Sequence, residues 1–140
     1  GLCLVGSEMC IRDSTSTENL WMGSDFDGAF AQYVKVPQSE VFELECNWSP
    51  DELATIPCAY GTAENMIQRA GIRSGEMVLI TGASGGVGSA AVQLAKLRKA
   101  KIIAVAAPEK QQQILDLGAE QTIARNENMV EVLGGRNLLM

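Results

Sequence analysis

The sequence predicts an α/β protein whose second half begins a parallel, doubly wound sheet. Short apolar segments that suit buried strands alternate with helix-forming segments after residue 76. A glycine-rich turn joins the first of these strands to the first of these helices. Hydrophobic residues make up 46% of the 140 residues and charged residues 20%, which leaves enough apolar surface for a core.

The first half of the chain predicts fewer elements. Residues 30–36 alternate with the two-residue period of a strand, and residues 41–44 predict a second, shorter strand. Residues 49–52 (SPDE) predict a helix start, with a capping serine, a proline in the first turn and a glutamate three residues after the cap. We expect Pro57 to end or kink this helix and a second helix to cover about residues 62–70.

The second half predicts a strand, a helix, a strand, a helix and a strand in succession. Val87, Ala91, Leu94 and Ala95 share one face of the first of these helices, so we expect this face to pack on the sheet. The predicted strands are residues 77–81, 102–107 and 121–124, the helices run from the glycine-rich turn to about residue 99 and over 109–117, and a helical turn is expected at 129–133.

Composition excludes several classes of function. Lys and Arg number 11 against 17 Asp and Glu, a formal charge of -6, so we expect neither nucleic acid nor an anionic membrane as a partner. The longest apolar run, residues 102–107, is too short to span a membrane, and we expect a cytoplasmic protein. The chain has no histidine, which excludes Ser-His-Asp catalysis and His-ligated metals among the residues present.

The first fourteen residues, GLCLVGSEMCIRDS, resemble a peptide that arises when sequencing-adaptor DNA is translated. They lack a basic region and a small-residue cleavage site, which excludes a signal peptide. We therefore expect residues 1–14 to be foreign to the protein. No C-x-x-C pair occurs among Cys3, Cys10, Cys46 and Cys58, so we interpret all four as free thiols.

The residues that indicate chemistry are 81–88, TGASGGVG, between a strand and a helix. Gly85 and Gly86 would let a diphosphate approach the backbone, and Gly88 would let the helix pack closely on the strand. The free N–H groups and the positive dipole end of the helix would then meet the anion. We therefore predict a dinucleotide site at Ala83, Ser84, Gly85, Gly86, Val87 and Gly88.

Two other classes of nucleotide-binding protein use similar loops. A P-loop would require a lysine after its last glycine, but Ser89 follows Gly88. Short-chain dehydrogenases also show TGxxxGxG, but they need a catalytic tyrosine with a lysine four residues later. Tyr33 is followed at that spacing by Pro37, and Tyr60 by Glu64, so neither class fits.

From Gly23 to Arg125 the sequence resembles the medium-chain dehydrogenase/reductase superfamily, and especially its quinone-oxidoreductase-like branch. The resemblance rests on four motifs in the same order: DGAFAQYVKVP, PCAYGTAENM, GEMVLITGASGGVGSAAVQLAK and LGAE. In many alcohol dehydrogenases of the superfamily the turn reads GxGxxG. Ala83 stands here at the first glycine, a replacement common in the quinone-reductase-like branch.

The resemblance implies a longer enzyme with two domains. Residues 15–75 would contain the end of a small β-rich, GroES-like catalytic domain with its connecting helices. Residues 76–140 would contain the first part of a Rossmann dinucleotide-binding domain. We expect the segment alone to be inactive and unstable, and the longer protein to form a homodimer or homotetramer.

The resemblance also assigns roles near the reacting end of the cofactor. Thr62 matches the family threonine that contacts the nicotinamide ring, although it could instead cap a helix. Cys58 matches the third ligand of the catalytic zinc in zinc-dependent members. Its sequence context favours the zinc-free branch, where this cysteine is a small buried residue, so we do not expect zinc.

The end of the second predicted strand favours NADP(H) over NAD(H). Sites that prefer NAD carry Asp or Glu there to bind the ribose hydroxyls, but no carboxylate occurs before Glu109. Lys110 follows and could face a 2′-phosphate, although an exposed lysine in the first turn of a helix is an alternative. Arg125 is a weaker candidate for the same phosphate or for the adenine face.

We therefore expect an oxidoreductase that moves hydride between NADP(H) and a small substrate, a carbonyl, a quinone or an activated alkene. One alternative is an NADP(H)-binding protein with a structural or sensory role and no catalysis. A second alternative is a zinc-dependent alcohol dehydrogenase.

Overall fold

The structure, a computed structural model, describes residues 2–4 and 22–134. The chain divides into two compact units at Gly61 and Thr62. The first unit contains a two-stranded antiparallel sheet in which β1 (Leu2–Leu4) pairs with β2 (Val41–Glu43). β2 confirms the strand predicted at residues 41–44. β1 lies in the segment that we expect to be foreign, and the origin of that segment stays a prediction.

The strand predicted for residues 30–36 does not form. The stretch consists of bends and irregular backbone, and Phe30 and Tyr33 are 110% and 90% exposed. Alternating polarity stabilises a strand only where a neighbouring strand supplies hydrogen bonds and one face is covered. Among the described residues no strand pairs with this stretch, so the prediction was wrong.

The helix start predicted at residues 49–52 is confirmed in α1 (Pro50–Ala54). The Glu52 N–H donates to Ser49 Oγ over 3.3 Å, and the Ser49 N–H donates to the Glu52 carboxylate over 2.8 Å. This reciprocal capping satisfies donors that a helix start would leave unpaired. It lowers the pKa of Glu52, chiefly through the backbone N–H of Ser49.

The second helix is longer than predicted. α2 (Ile56–Ala70) begins six residues before Thr62 and ends, as expected, just before Gly71. Pro57 does not end a helix. It lies in the first turn of α2, where a missing N–H removes no helical hydrogen bond. The break between α1 and α2 falls instead at Thr55.

The second unit carries a parallel sheet with strand order β3-β4-β5, which confirms the predicted α/β fold class. Each connection crosses over through a helix, and the carboxyl ends of the three strands therefore lie at one edge. The elements are β3 (Met77–Ile80), α3 (Gly86–Leu97), β4 (Lys101–Ala106), a 3-10 turn (Pro108–Lys110), α4 (Gln111–Leu117), β5 (Gln121–Ala124) and α5 (Met129–Leu133).

The core of the second unit is built on β4. Ile103, Val105, Ile123 and Leu133 form a buried cluster, against which Met77 and Leu79 pack. The helix α3 contacts β3 and β4, while α4 contacts β4, β5 and α3. The centre of the sheet is thus rigidly held, which fixes the position of the turns that leave its carboxyl edge.

Candidate dinucleotide site

The turn after β3 is held by its own backbone. Gly82 has φ +62°, a conformation that favours glycine, and the Gly85 N–H donates to the Gly82 carbonyl over 3.0 Å. The Ala83 N–H donates to the carbonyl of Val105 in β4 over 3.1 Å, and the Ala83 side chain is buried. Ala83 therefore ties the turn to the neighbouring strand.

Gly88, in the first turn of α3, lies close to the backbone of Gly82 and Ala83. A Cβ atom at Gly88 would stand 2.8 Å from the Cα atom of Ala83 and still closer to the carbonyl oxygen of Gly82. Both of these atoms belong to the backbone, so moving them aside would cost conformational free energy. At Gly85 a Cβ atom would meet only the Gly82 oxygen, at 3.4 Å. Gly88 therefore allows a close approach, as predicted, but the backbone that it approaches is that of the turn and not that of the strand β3.

The first turn of α3 offers donors to an anion. Ser89 is the first helical residue whose N–H is paired, with the carbonyl of Gly85 over 2.8 Å. Within the described ranges no hydrogen bond takes up the N–H groups of Gly86, Val87 and Gly88. Gly85 precedes the helix and offers no side-chain cap, and Gly85 and Gly86 are exposed. The donors and the helix dipole therefore favour an anion at this point.

Two cations follow the neighbouring strands at the same edge of the sheet. Ala106, the last residue of β4, pairs with Ala124, the last residue of β5. Arg125 comes directly after β5, and Lys110 ends the 3-10 turn after β4. Both side chains are exposed. The register therefore places the two strand ends side by side, with Arg125 directly after one end and Lys110 four residues after the other.

Thr62 and Cys58 both belong to α2. Thr62 is partly buried and is the seventh residue of the helix, so it does not cap it, and the alternative role as N-cap was wrong. Cys58 lies in the first turn and is exposed, which contradicts its interpretation as a buried residue. In the parts of the chain with described coordinates, no group of three or more His, Cys, Asp or Glu side chains could hold a metal ion.

An apolar cavity of about 600 Å³ opens beside the glycine-rich turn. Met66, Ile67 and Ala70 of α2 line one side, and residues of β3 line another. Gly85, Val87 and Gly88 complete the lining.

Sequence reasoning missed the ion pair between Glu64 and Arg98 in this unit. Arg98 Nη2 donates to Glu64 Oε1, which also accepts a hydrogen bond from Gln68 Nε2 over 2.8 Å. These bonds, with that of Arg98 the larger cause, lower the pKa of Glu64, so its carboxylate is ionised at neutral pH. The partners are 34 residues apart, and no local pattern signals their meeting.

Comparisons with known proteins identify the family. Acryloyl-coenzyme A reductase of Sulfurisphaera tokodaii is 37% identical over 123 residues, covering 86% of this chain and 35% of that enzyme. A candidate alcohol dehydrogenase of Sinorhizobium meliloti 1021 superposes with a TM-score of 0.77 at 42% identity, over 91% of this chain and 37% of its own. The chain belongs to the medium-chain dehydrogenase/reductase superfamily.

Other comparisons agree with this membership. The quinone oxidoreductase of Thermus thermophilus, solved also in complex with NADPH, gives a TM-score of 0.64 at 32% identity, over 76% of this chain and 43% of its own. The superfamily resemblance predicted from the four motifs is thus confirmed. The chain spans about a third of the length of the acryloyl-coenzyme A reductases that it matches, 35% and 31%.

No model of a protein family matches the chain. Among the helices with described coordinates, none combines the length and the apolar character that crossing a bilayer requires.

Proposed function

We propose that this medium-chain dehydrogenase/reductase transfers hydride between NADP(H) and a small carbonyl compound, quinone or activated alkene. The observation that carries the proposal is that, among the described residues, no hydrogen bond takes up the N–H groups of Gly86, Val87 and Gly88, at a helix start where Gly85 and Gly86 are exposed. Relatives named as reductases and oxidoreductases support the same reaction class.

The residues of the turn fit the diphosphate of a dinucleotide. The first-turn N–H groups of α3 would donate to the phosphate oxygens, and Ser84 and Gly85 would flank them. Each charge–dipole contact contributes only about 0.3–1 kcal/mol, so several donors must act together. Because Gly86 has no side chain, the diphosphate can come within hydrogen-bonding distance of the backbone N–H groups.

The preference for NADP(H) is supported by the charges at the carboxyl ends of β4 and β5. Lys110 and Arg125 follow adjoining strand ends and are exposed, so both would be available to a 2′-phosphate. The residues from Ala106 to Pro108 contain no carboxylate that would bind the ribose hydroxyls of NAD. A 2′-phosphate would meet two cations there, although Glu109 adjoins Lys110 and the Glu127 carboxylate accepts the Ala124 N–H over 2.8 Å at the end of β5.

In the reaction, the bound nicotinamide supplies or accepts the hydride. Thr62 would contact the nicotinamide from the α2 side, and the glycine-rich turn would hold the other end of the cofactor. The contribution of these residues is to hold the cofactor in place and to keep water away from it.

The described residues do not fit a catalytic zinc ion, and we derive no step through one. A catalytic zinc needs three protein ligands, and among the described residues no group of three or more His, Cys, Asp or Glu side chains could hold one. The zinc-dependent alternative predicts stoichiometric zinc in the purified protein, which elemental analysis measures.

The test uses the protein produced from the complete reading frame that contains this chain, called here the complete protein. We expect it to oxidise NADPH with at least one member of a panel of quinones, enones and aldehydes, and to use NADPH better than NADH. Oxidation of neither cofactor would contradict the proposal. Tight NADPH binding without turnover would instead favour the structural or sensory alternative.

The choice of cofactor has its own variant. Replacing Lys110 with Ala removes one cation from the 2′-phosphate, so we expect KM for NADPH to rise about tenfold and KM for NADH to stay unchanged. Lys101→Ala, at the opposite end of β4, is the matched control. An equal rise of KM for both cofactors would show that Lys110 does not bind the 2′-phosphate of NADPH.

A further inference from the structure

The C-terminal part of α2 is held on its two sides by different kinds of contact. Ala63 and Ile67 are buried, but Met66, Ile67 and Ala70 also line the cavity of about 600 Å³ beside β3. A helix that borders a cavity has fewer van der Waals contacts to resist a shift than one in a filled core.

The ion pair of Glu64 and Arg98 supplies a directional restraint on the same helix. Arg98 caps the end of α3, and its Nη1 also donates to the carbonyl oxygen of Leu94 over 3.3 Å. Gln68, one turn further along α2, donates to the same Glu64 oxygen. The ion pair therefore joins α2 to the end of α3 through groups that are themselves held in place.

We propose that the Glu64–Arg98 pair is a positioning device for the nicotinamide end of the cofactor site. The inference rests on the proposed function. α3 has twelve residues and is therefore about 18 Å long. The first turn of α3 carries the N–H donors for the diphosphate. At the other end of α3, Arg98 binds Glu64 of α2, which lies two residues after Thr62. The helix α3 would thus fix the distance between Thr62 and the bound diphosphate.

Loss of the pair should affect the reaction more than the binding of cofactor. Without Arg98 the Glu64 carboxylate loses its cationic partner, and α2 can shift against the cavity, while the turn and Lys110 are untouched. A displacement of about 1 Å can cost up to about 100-fold in rate, so we expect kcat to fall about tenfold or more. The dissociation constant for NADPH should change less than about twofold, because no phosphate contact is lost.

The experiment measures kcat, KM and NADPH affinity in Arg98→Met and Glu64→Gln variants of the complete protein. Arg73→Met is the matched control, since Arg73 is exposed and has no ion pair in the residues with described positions. Exchange of the two charges, Glu64→Arg with Arg98→Glu, should restore much of kcat. If Arg98→Met does not fold, Glu64→Gln, which keeps the shape of the side chain, serves for the same comparison.

Three results would overturn the inference. The first is an unchanged kcat in both single variants, and the second is a loss of NADPH affinity equal to the loss of kcat. The third is a charge exchange that restores the melting temperature but not kcat. If the unaltered complete protein shows no turnover at all, the proposed function fails and this inference fails with it.

Discussion

The two units of the chain differ in how their apolar side chains are covered. In the second unit Ile102 and Ile123 are fully buried between strands and helices that are close in sequence. In the first unit Phe30 and Tyr33 are almost fully exposed, although their alternating pattern is typical of a strand. The difference shows that a buried parallel strand can be predicted from its own residues, whereas an amphipathic strand forms only if its neighbour is present.

The largest effect expected from this comparison is on stability. Ile123→Ala removes a fully buried side chain of β5, and we expect the free energy of unfolding of the complete protein to fall by about 2–5 kcal/mol. Phe30→Ala removes a fully exposed side chain, so its effect should stay within about 0.5 kcal/mol. Urea denaturation measures both. A loss in Phe30→Ala as large as that in Ile123→Ala would show that this stretch is covered in the complete protein, contrary to the description of the first unit.

A smaller effect is expected at the glycine-rich turn. In Gly88→Ala the new methyl group would press on the backbone of Gly82 and Ala83, and we expect a loss of about 1–3 kcal/mol together with weaker NADPH binding. Gly85→Ala is the control, because its methyl group would make a contact of 3.4 Å. Equal melting temperatures for the two variants would contradict the close approach at Gly88.

The smallest effect concerns the pH dependence of the Glu64–Arg98 pair. The pKa of Glu64 is lowered in the fold, so the pair contributes its full stability above the usual value of 4.5 and loses it as the pH falls through the lower folded value. Both partners are partly exposed, so we expect Arg98→Met to cost about 0.2–1 kcal/mol at pH 7.

The same variant should differ less from the unaltered protein in acid, at a pH low enough to protonate Glu64. Differential scanning calorimetry at neutral and at acid pH measures this difference. A larger cost in acid than at neutral pH would contradict the assigned direction of the pKa. Arg73→Met should show no such pH dependence.

The sequence predicted the elements whose signals are local. The apolar runs that became β3, β4 and β5, the capping pattern at Ser49 and the stop at Gly71 each depend on a few consecutive residues. The start of α2 was misplaced because a proline that breaks a helix interior also suits a first turn, and only the hydrogen bonds distinguish the two positions.

The candidate site was predictable in part for the same reason. The glycine-rich turn follows a strand and precedes a helix, so its residues and its backbone donors could be named from the sequence. The bond from Ala83 to Val105 and the ion pair from Glu64 to Arg98 join residues that are far apart in sequence. Such contacts depend on how the helices lie on the sheet, and no periodic pattern encodes them.

The proposed role of the first turn of α3 is to hold the diphosphate of NADP(H). The most direct test is a crystal structure of the complete protein grown with NADPH. We predict diphosphate oxygens within hydrogen-bonding distance of the N–H groups of Gly86, Val87 and Gly88, with the 2′-phosphate beside Lys110. A cofactor bound elsewhere, or a turn that stays empty at saturating NADPH, would contradict this role of α3.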